Sequence, residues 1–256
     1  MISASVRSVS RRLAARELAA SDLYGRLRNR MAVLRLSKLA RAVKRQNLTY
    51  LSDAKLVRLE EALSAARTPH VDGAFIEFGV ALGGSAILIA HEAARSGSRF
   101  MGFDVFGLIP PPSSNRDDRN SKARYETIAS GQATGIGGEV YYGYRDNLYD
   151  DAIRAFHHNG LAVDGRTISL VKGLFEDTWP TMNVRSVAFC HIDCDWYDPV
   201  KYCLDQVAPV LSPGGTIILD DYHDYGGCQC ATDEFLDANS DFELHDGPNV
   251  MLRRRE

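Results

Sequence analysis

Five short apolar runs, separated by stretches long enough for a helix, constrain this chain more than any other feature. They are Ala74-Phe-Ile-Glu-Phe-Gly, Arg99-Phe-Met-Gly-Phe-Asp, Thr167-Ile-Ser-Leu-Val-Lys-Gly, Val187-Ala-Phe-Cys-His-Ile-Asp and Thr216-Ile-Ile-Leu-Asp-Asp. Short buried strands alternating with helices build an α/β fold, a Rossmann-like, doubly wound and mostly parallel sheet. Four of the five runs end in or beside an acidic residue. Such sheets bind ligands just beyond the carboxyl ends of their strands, so function is sought there.

Around these runs the spacing predicts a helix from Ser85 to Arg95 and two more within Ser121 to Ser130 and Asp146 to His158. Upstream, Leu18, Leu23, Leu27, Met31, Leu34 and Leu39 fall three to five apart, which predicts one helix over Leu13 to Lys44. Ser52 then offers an N-cap to a helix carrying Leu56, Leu59 and Leu63 to about Ala66, and Thr68-Pro-His ends it. The expected organisation is a basic helical extension over residues 1–70 and a sheet domain over 71–256. Inside the latter, the polar, broken stretch of about 105–150, with Pro110-Pro-Pro and the glycines of Gly131 to Gly138, reads as a lid over substrate or as a connecting insertion.

Charge divides the chain in the same place. Met1 to Arg45 holds twelve Lys/Arg against Glu17 and Asp22, a formal +10, so the other 211 residues, with 18 basic and 31 acidic side chains, carry −13. The basic segment fits a solvated helix face, an arm for a membrane surface, nucleic acid or partner, or a subunit interface made by the N-terminal helices of a homo-oligomer. The near-neutral total gives no reason to expect a nucleic-acid partner. At 256 residues, 45% hydrophobic and 25% charged, the chain is globular and unlike collagen, a disordered segment or a coiled coil. No apolar stretch approaches the ~20 residues of a membrane span. Arginines interrupt the N-terminus where a secretory signal would be apolar, although its Arg- and Ser-rich start also fits a transit peptide. Five clustered cysteines, Cys190, Cys194, Cys203, Cys228 and Cys230, suit reduced thiols, and the expected location is cytoplasmic.

Two groups carry chemistry. In Glu77-Phe-Gly-Val-Ala-Leu-Gly-Gly-Ser85, Gly79, Gly83 and Gly84 stand where a strand passes into a helix, which lets a ligand approach the backbone and the helix N-terminus. Close packing of strand against helix explains the same glycines. The spacing is neither the dinucleotide fingerprint nor a Walker loop. Asp104 ends the next strand, where a carboxylate can take both hydroxyls of a ribose. The second group is acidic: Asp193 and Asp195 follow one strand, Asp220 and Asp221 another. Neighbouring strand ends lie about 5 Å apart, so these acids can meet on one hard cation, with Mg2+ favoured by an oxygen-only set. Capping of turns is the other reading of each aspartate. Zinc is not expected, because Cys228-x-Cys230 lacks a second ligand pair.

With Leu48-Thr-Tyr-Leu-Ser, Phe75-Ile-Glu-Phe-Gly-Val-x-x-Gly-Gly-Ser-Ala, Gly102-Phe-Asp-Val-Phe-Gly-Leu, His191-Ile-Asp-x-Asp-x-Tyr and Leu211-Ser-Pro-Gly-Gly-x-Ile-Ile-Leu-Asp-Asp-Tyr in that order, the chain resembles class I S-adenosylmethionine-dependent methyltransferases. More closely, it is similar to the macrocin O-methyltransferase family over roughly Leu48 to Phe235. The resemblance implies magnesium-dependent methylation of a sugar hydroxyl on a natural product. It implies that Glu77, Gly79 and Ser85 hold the methionine end of S-adenosylmethionine, that Asp104 holds the ribose, and that Gly173-Leu-Phe175 borders the adenine. It matches Asp193, Asp220 and Asp221 to metal ligands and gives Asp195 no ligand role, which leaves it to the cofactor, the substrate or the fold. Gly226-Gly-Cys-Gln-Cys-Ala is less basic than the family's pattern there, which leaves the acceptor open.

A metal-bound hydroxyl must also lose its proton, and Asp193, His191 and His223 are the candidate bases. His191 lies two residues before Asp193, hence on the same strand face, and reads equally as a hydrogen-bonded core histidine. Alternatives to the sugar methyltransferase are a catechol-type phenol O-methyltransferase, a glycosyltransferase using Asp193-Cys-Asp195 as its Asp-x-Asp motif, and a non-catalytic protein acting through its basic helix.

Overall fold

The computed structural model of the chain describes residues 32–66 and 71–255. All five predicted runs are strands: β1 (Ala74–Phe78), β2 (Phe100–Asp104), β3 (Ile168–Lys172), β4 (Val187–Ile192) and β5 (Leu211–Leu219). They pair in parallel, and two further strands, β6 (Phe242–His245) and β7 (Val250–Arg254), add an antiparallel edge beyond β5. The order is β3-β2-β1-β4-β5-β7-β6. From β1 the chain builds outward to β2 and β3, then returns to lay β4 on the other side of β1. The strand order reverses at that seam.

Alternation along the strands feeds two helical layers. Phe75, Phe189 and Ile218 face a layer made by α1 (Lys38–Arg45), α2 (Asp53–Ala66), α3 (Gly84–Arg95) and α5 (Leu148–His158). Their neighbours Ile76, Cys190 and Ile217 face α7 (Tyr197–Val207) and α8 (Gly226–Ala238). Leu56 and Leu59 of α2 are fully buried, each contributing about 1.5–3 kcal/mol of hydrophobic stabilisation. The described part of the expected 1–70 extension is therefore a layer of the same core.

The helix predicted over Leu13 to Lys44 lies outside the described residues as far as Met31, and the remainder is interrupted. Ser37 ends one helical stretch and caps the next, its Oγ accepting from the Ala40 amide at 3.0 Å. A serine side chain competes in this way with the backbone ladder. The buried face accordingly runs through Leu36, Ala40 and Val43, while Leu34, expected on the apolar stripe, is 82% exposed.

The stretch expected as a lid is tied down. It contains α4 (Arg119–Ala129), capped by Asp118 through the Ser121 amide at 2.8 Å, and a small apolar cluster of Ile128, Ala133 and Tyr141. Polar as it is, the stretch has a core of its own. Trp196 Nε1 donates to the Pro110 carbonyl at 3.0 Å, and the Tyr197 amide donates to Asp117 at 2.9 Å. No helix among the described residues is long and apolar enough to cross a membrane.

Candidate active site

A cavity of about 840 Å³ opens at the carboxyl ends of the parallel strands, lined by residues that follow β1, β2, β4 and β5 and walled by the 105–150 stretch. That volume lies toward the upper end for small-molecule sites, enough for a cofactor beside a second molecule.

Its first half is built where β1 turns into α3. Gly79 sits at φ +94°, and a Cβ there would lie 1.8 Å from the Asp193 carbonyl oxygen. Only glycine lets the two strand ends come this close. The Asp104 carboxylate accepts from the Ala81 amide at 2.8 Å and the Phe106 amide at 2.5 Å. Both donors are non-glycine residues with positive φ, so backbone strain is spent on fixing Asp104. Burial still holds the Asp104 pKa above the usual carboxylate value. Ser85 and Phe175 line the same space.

The other residues expected at the cofactor, Glu77, Gly83, Gly84 and Gly173, are not among those that line the cavity. Glu77 is fully buried, with Oε1 2.8 Å from His191 Nδ1. Gly84 donates its amide to the Leu48 carbonyl at 3.0 Å, and a Cβ on it would lie 2.4 Å from that oxygen, so it is a packing glycine. Gly83 caps α3 at φ +92° against the ring of Phe156. Gly173 donates to the Asp104 carbonyl at 2.9 Å and turns the chain at φ +146°. These residues shape the turn from behind.

The second half is acidic. Asp193, Asp220 and Asp221 each offer an oxygen within 4.8 Å of the others'. Burial, reinforced by Asp220, holds Asp193 well above the ordinary carboxylate pKa, and burial reinforced by Asp195 does the same for Asp221. Asp220 goes the other way: burial is outweighed by His191 and Lys55. Lys55, from α2, places Nζ 2.8 Å from Asp220 Oδ2 and 2.7 Å from Asp224 Oδ2. Burial disfavours its charge, but Asp220 and Asp224 raise its pKa above the usual lysine value. Among the described residues, the cations that act on Asp193, Asp195, Asp220, Asp221 and Asp224 include Lys55, His191 and Arg124, fewer than the five acids. The negative surplus and oxygen-only donors fit a divalent cation.

Of the proposed bases, Asp193 faces the cavity, whereas the two histidines do not. His191 is completely buried between Glu77 and Asp220, with Nε2 3.9 Å from Asp220 Oδ1. Burial opposes its protonation, but Asp220 and Glu77 push its pKa up to about 10, which makes it a poor proton acceptor at neutral pH. Strand alternation puts it on the face opposite Cys190 and Ile192, and the strand ends at Ile192; of the pair only Asp193 lines the cavity. His223 is 45% exposed, paired with Asp246 at 3.0 Å outside the cavity. Replacing it with alanine is expected to leave kcat/KM within about threefold, as for surface substitutions generally, measured by steady-state methyl transfer.

Much of the remaining wall carries no sequence signal: Lys55, Arg124, Tyr141, Tyr142 and Tyr225, with Tyr50 present only inside the Leu48-Thr-Tyr-Leu-Ser motif and given no role there. Lys55 meets Asp220 across 165 positions of sequence, which no local pattern reveals. All five cysteines are free, and Cys194 borders the cavity.

Comparison with known proteins agrees with this architecture. A family model described as macrocin-O-methyltransferase (TylF) matches residues 26–243. The 8-demethyl-8-(2,3-dimethoxy-alpha-L-rhamnosyl)-tetracenomycin-C 4'-O-methyltransferase of Streptomyces olivaceus is 34% identical over 87 residues, covering 30% of this chain and 33% of that protein. The mycinamicin III 3''-O-methyltransferase of Micromonospora griseorubida is 35% identical over 86 residues, covering 34% of this chain and 33% of that protein. The aligned segments thus span about a third of these relatives. The solved structure of the O-methyltransferase NovP superposes with a TM-score of 0.67 at 22% identity over 82% of this chain and 83% of its own, a likeness of fold.

Proposed function

The chain belongs to the macrocin-O-methyltransferase family, and on that premise we propose that it moves a methyl group from S-adenosylmethionine to a hydroxyl of a glycosylated small molecule, with Mg2+ as its divalent cation. The observation that carries the reading is one cavity joining Gly79, Ser85, Asp104 and Phe175 to the cluster of Asp193, Asp220 and Asp221. Relatives named for methylating a rhamnosyl-tetracenomycin and mycinamicin III support a sugar-bearing acceptor.

In this reading Asp104 would hold the ribose hydroxyls, Ser85 and the N-terminus of α3 the methionine carboxylate, and Phe175 would border the adenine. Asp193, Asp220 and Asp221 would hold the cation. When bound, the cofactor supplies an electrophilic methyl on its sulfonium and the cation lowers the pKa of a hydroxyl. Asp193 accepts the proton, Lys55 keeps Asp220 ionised, and the 105–150 wall excludes water and orients the acceptor.

Labelled cofactor incubated with p-nitrophenyl rhamnoside and, separately, with catechol tests both halves of the proposal. Transfer to the rhamnoside is expected to fall at least about a hundredfold in chelator and to return with Mg2+. Turnover undiminished in chelator overturns the metal role, and transfer to catechol alone moves the acceptor to phenols.

A further inference from the structure

The two helices that lead away from the acidic cluster start without caps of their own. α7 begins at Tyr197, soon after Asp193, and α8 at Gly226, soon after Asp221; the residues just before them, Trp196 and Tyr225, make no capping hydrogen bond with their side chains. A helix start leaves amides that must find acceptors elsewhere. Here two adjacent aspartates of the 105–150 wall supply them. Asp117 Oδ1 accepts from the Tyr197 amide at 2.9 Å and Asp118 Oδ2 from the Gly226 amide at 3.3 Å, across 80 and 108 positions of sequence. A cap normally comes from the residue preceding the helix, and one supplied by a distant segment ties that segment to the helix.

Asp117 sits deep in this junction. It is 3% exposed, and its Oδ2 has no hydrogen-bond partner among the described residues. A buried carboxylate oxygen left unpaired lowers stability, so packing alone does not account for it. A Cβ on Gly227 would lie 2.1 Å from Asp117 Oδ1 and 2.8 Å from the Tyr197 amide nitrogen. Only glycine at 227 lets the wall, α7 and α8 meet at one point, which accounts for a glycine in the run Gly226-Gly-Cys-Gln-Cys-Ala. Neighbours reinforce the seat: Ser113 Oγ donates to Asp198 Oδ2 at 2.5 Å, and Arg116 pairs with Glu234 of α8 at 3.0 Å. The same segment lines the cavity through Pro110, Pro111 and Ser113. The approach to α7 is in turn tied to the acid trio, because the Asp195 amide donates to Asp221 Oδ2 at 3.1 Å.

We propose that Asp117 is a positioning residue that couples the wall to the acidic cluster, so that divalent-cation binding at Asp193, Asp220 and Asp221 and ordering of the wall over the cavity are one linked event. This rests on the metal-dependent reading of the site and adds a residue that no cavity contact reveals. Acids from two strand exits that share one cation cannot shift independently, and neither can the helix starts that follow them. With those starts fixed, the Tyr197 amide holds Asp117, and Asp117 holds the wall. Linkage is reciprocal: loosening the wall at Asp117 weakens the cation by the factor through which the cation orders the wall. Asp118 also caps α4 through the Ser121 amide, which makes Asp117 the cleaner site to alter.

Hydrogen exchange of the unaltered protein is expected to be about tenfold slower across residues 105–118 with saturating Mg2+ than without it. Asp117→Ala is expected to abolish that difference and to weaken Mg2+ binding about tenfold by calorimetry. Asp117→Asn keeps an oxygen acceptor and is expected to bind Mg2+ within about threefold of the unaltered protein. S-adenosylmethionine affinity, set by the other half of the cavity, is expected to stay within about twofold in both variants, which damage to the whole fold would not allow. Exchange that ignores bound Mg2+ in the unaltered protein overturns the coupling without any variant, even where methyl transfer depends on Mg2+. Asp117→Ala that binds Mg2+ as tightly as the unaltered protein overturns it as well. Protection by Mg2+ in a protein that methylates neither probe upholds the coupling while the methyl-transfer reading fails. A protein that binds no divalent cation overturns the coupling and the metal role together.

Discussion

Asp221→Asn is expected to reduce methyl transfer about a thousandfold while S-adenosylmethionine affinity changes by less than about threefold. A bound cation contributes several kcal/mol of charge stabilisation, and each 1.36 kcal/mol is a factor of ten in rate. Asp221 is the informative member of the cluster. Its carboxylate accepts from the Asp195 amide at 3.1 Å, a bond that an asparagine oxygen can keep. Asp220, by contrast, holds Lys55 at 2.8 Å and Asn249 at 3.3 Å and lies beside His191, so Asp220→Ala leaves Lys55 to Asp224 alone and takes an acceptor from buried Asn249 and His191. Such losses cost about 1–3 kcal/mol each and would confuse unfolding with catalysis. Single-turnover rates at saturating Mg2+, with calorimetry for the cofactor and a thermal melt for the fold, separate the effects. Near-normal turnover by Asp221→Asn would remove Asp221 from the metal site.

The same residues show what local pattern can and cannot disclose. β1 to β5 are legible because both faces are covered, so each reads as a nearly unbroken apolar run bounded by glycine or aspartate. β6 went unseen because it is the edge strand: Glu243 and Leu244 are exposed, and Phe242-Glu-Leu-His does not stand out from a loop; β7, between β5 and β6, buries only Val250 and Leu252 before a run of arginines. The acids at the strand ends were visible, but their destinations were not. Asp104 and Glu77 end adjacent strands in much the same way, yet Asp104 is gripped by two backbone amides at the cavity and Glu77 is buried against His191, 114 residues away. The charge division has a partial account. On the described part of the basic segment, Arg35 and Lys44 pair with Glu61 and Asp53 of α2, so those charges are matched within the first helical layer. Acidic residues of the body gather instead around the cavity, where Lys55, Arg124 and His191 offset only part of their charge.

Gly79→Ala is expected to be the most damaging single-methyl change in the cavity, and Gly97→Ala shows why. Gly97 also has a left-handed backbone, φ +70°, but nothing lies within 4 Å of where its Cβ would be. Its replacement should therefore cost only the conformational penalty, about 1–2 kcal/mol. At Gly79 the φ of +94° imposes a comparable penalty, and the added carbon would stand 1.8 Å from the Asp193 carbonyl oxygen. That atom belongs to the backbone, so no rotamer change relieves the overlap, and β1 and β4 must separate just where the Asp193 amide donates to the Phe78 carbonyl at 2.9 Å. Separation displaces Asp193 from Asp220 and Asp221 and widens the turn leading to Ser85. One methyl group thus disturbs both halves of the site. The expected loss is about 4 kcal/mol or more of stability, in the range reserved for backbone strain in a packed core, together with at least about tenfold weaker binding of S-adenosylmethionine. Urea unfolding of the two variants side by side measures the first, and calorimetry at a temperature where both remain folded measures the second. If Gly79→Ala unfolds no more readily than Gly97→Ala and binds the cofactor normally, the close approach of β1 and β4 is not what holds the two halves together.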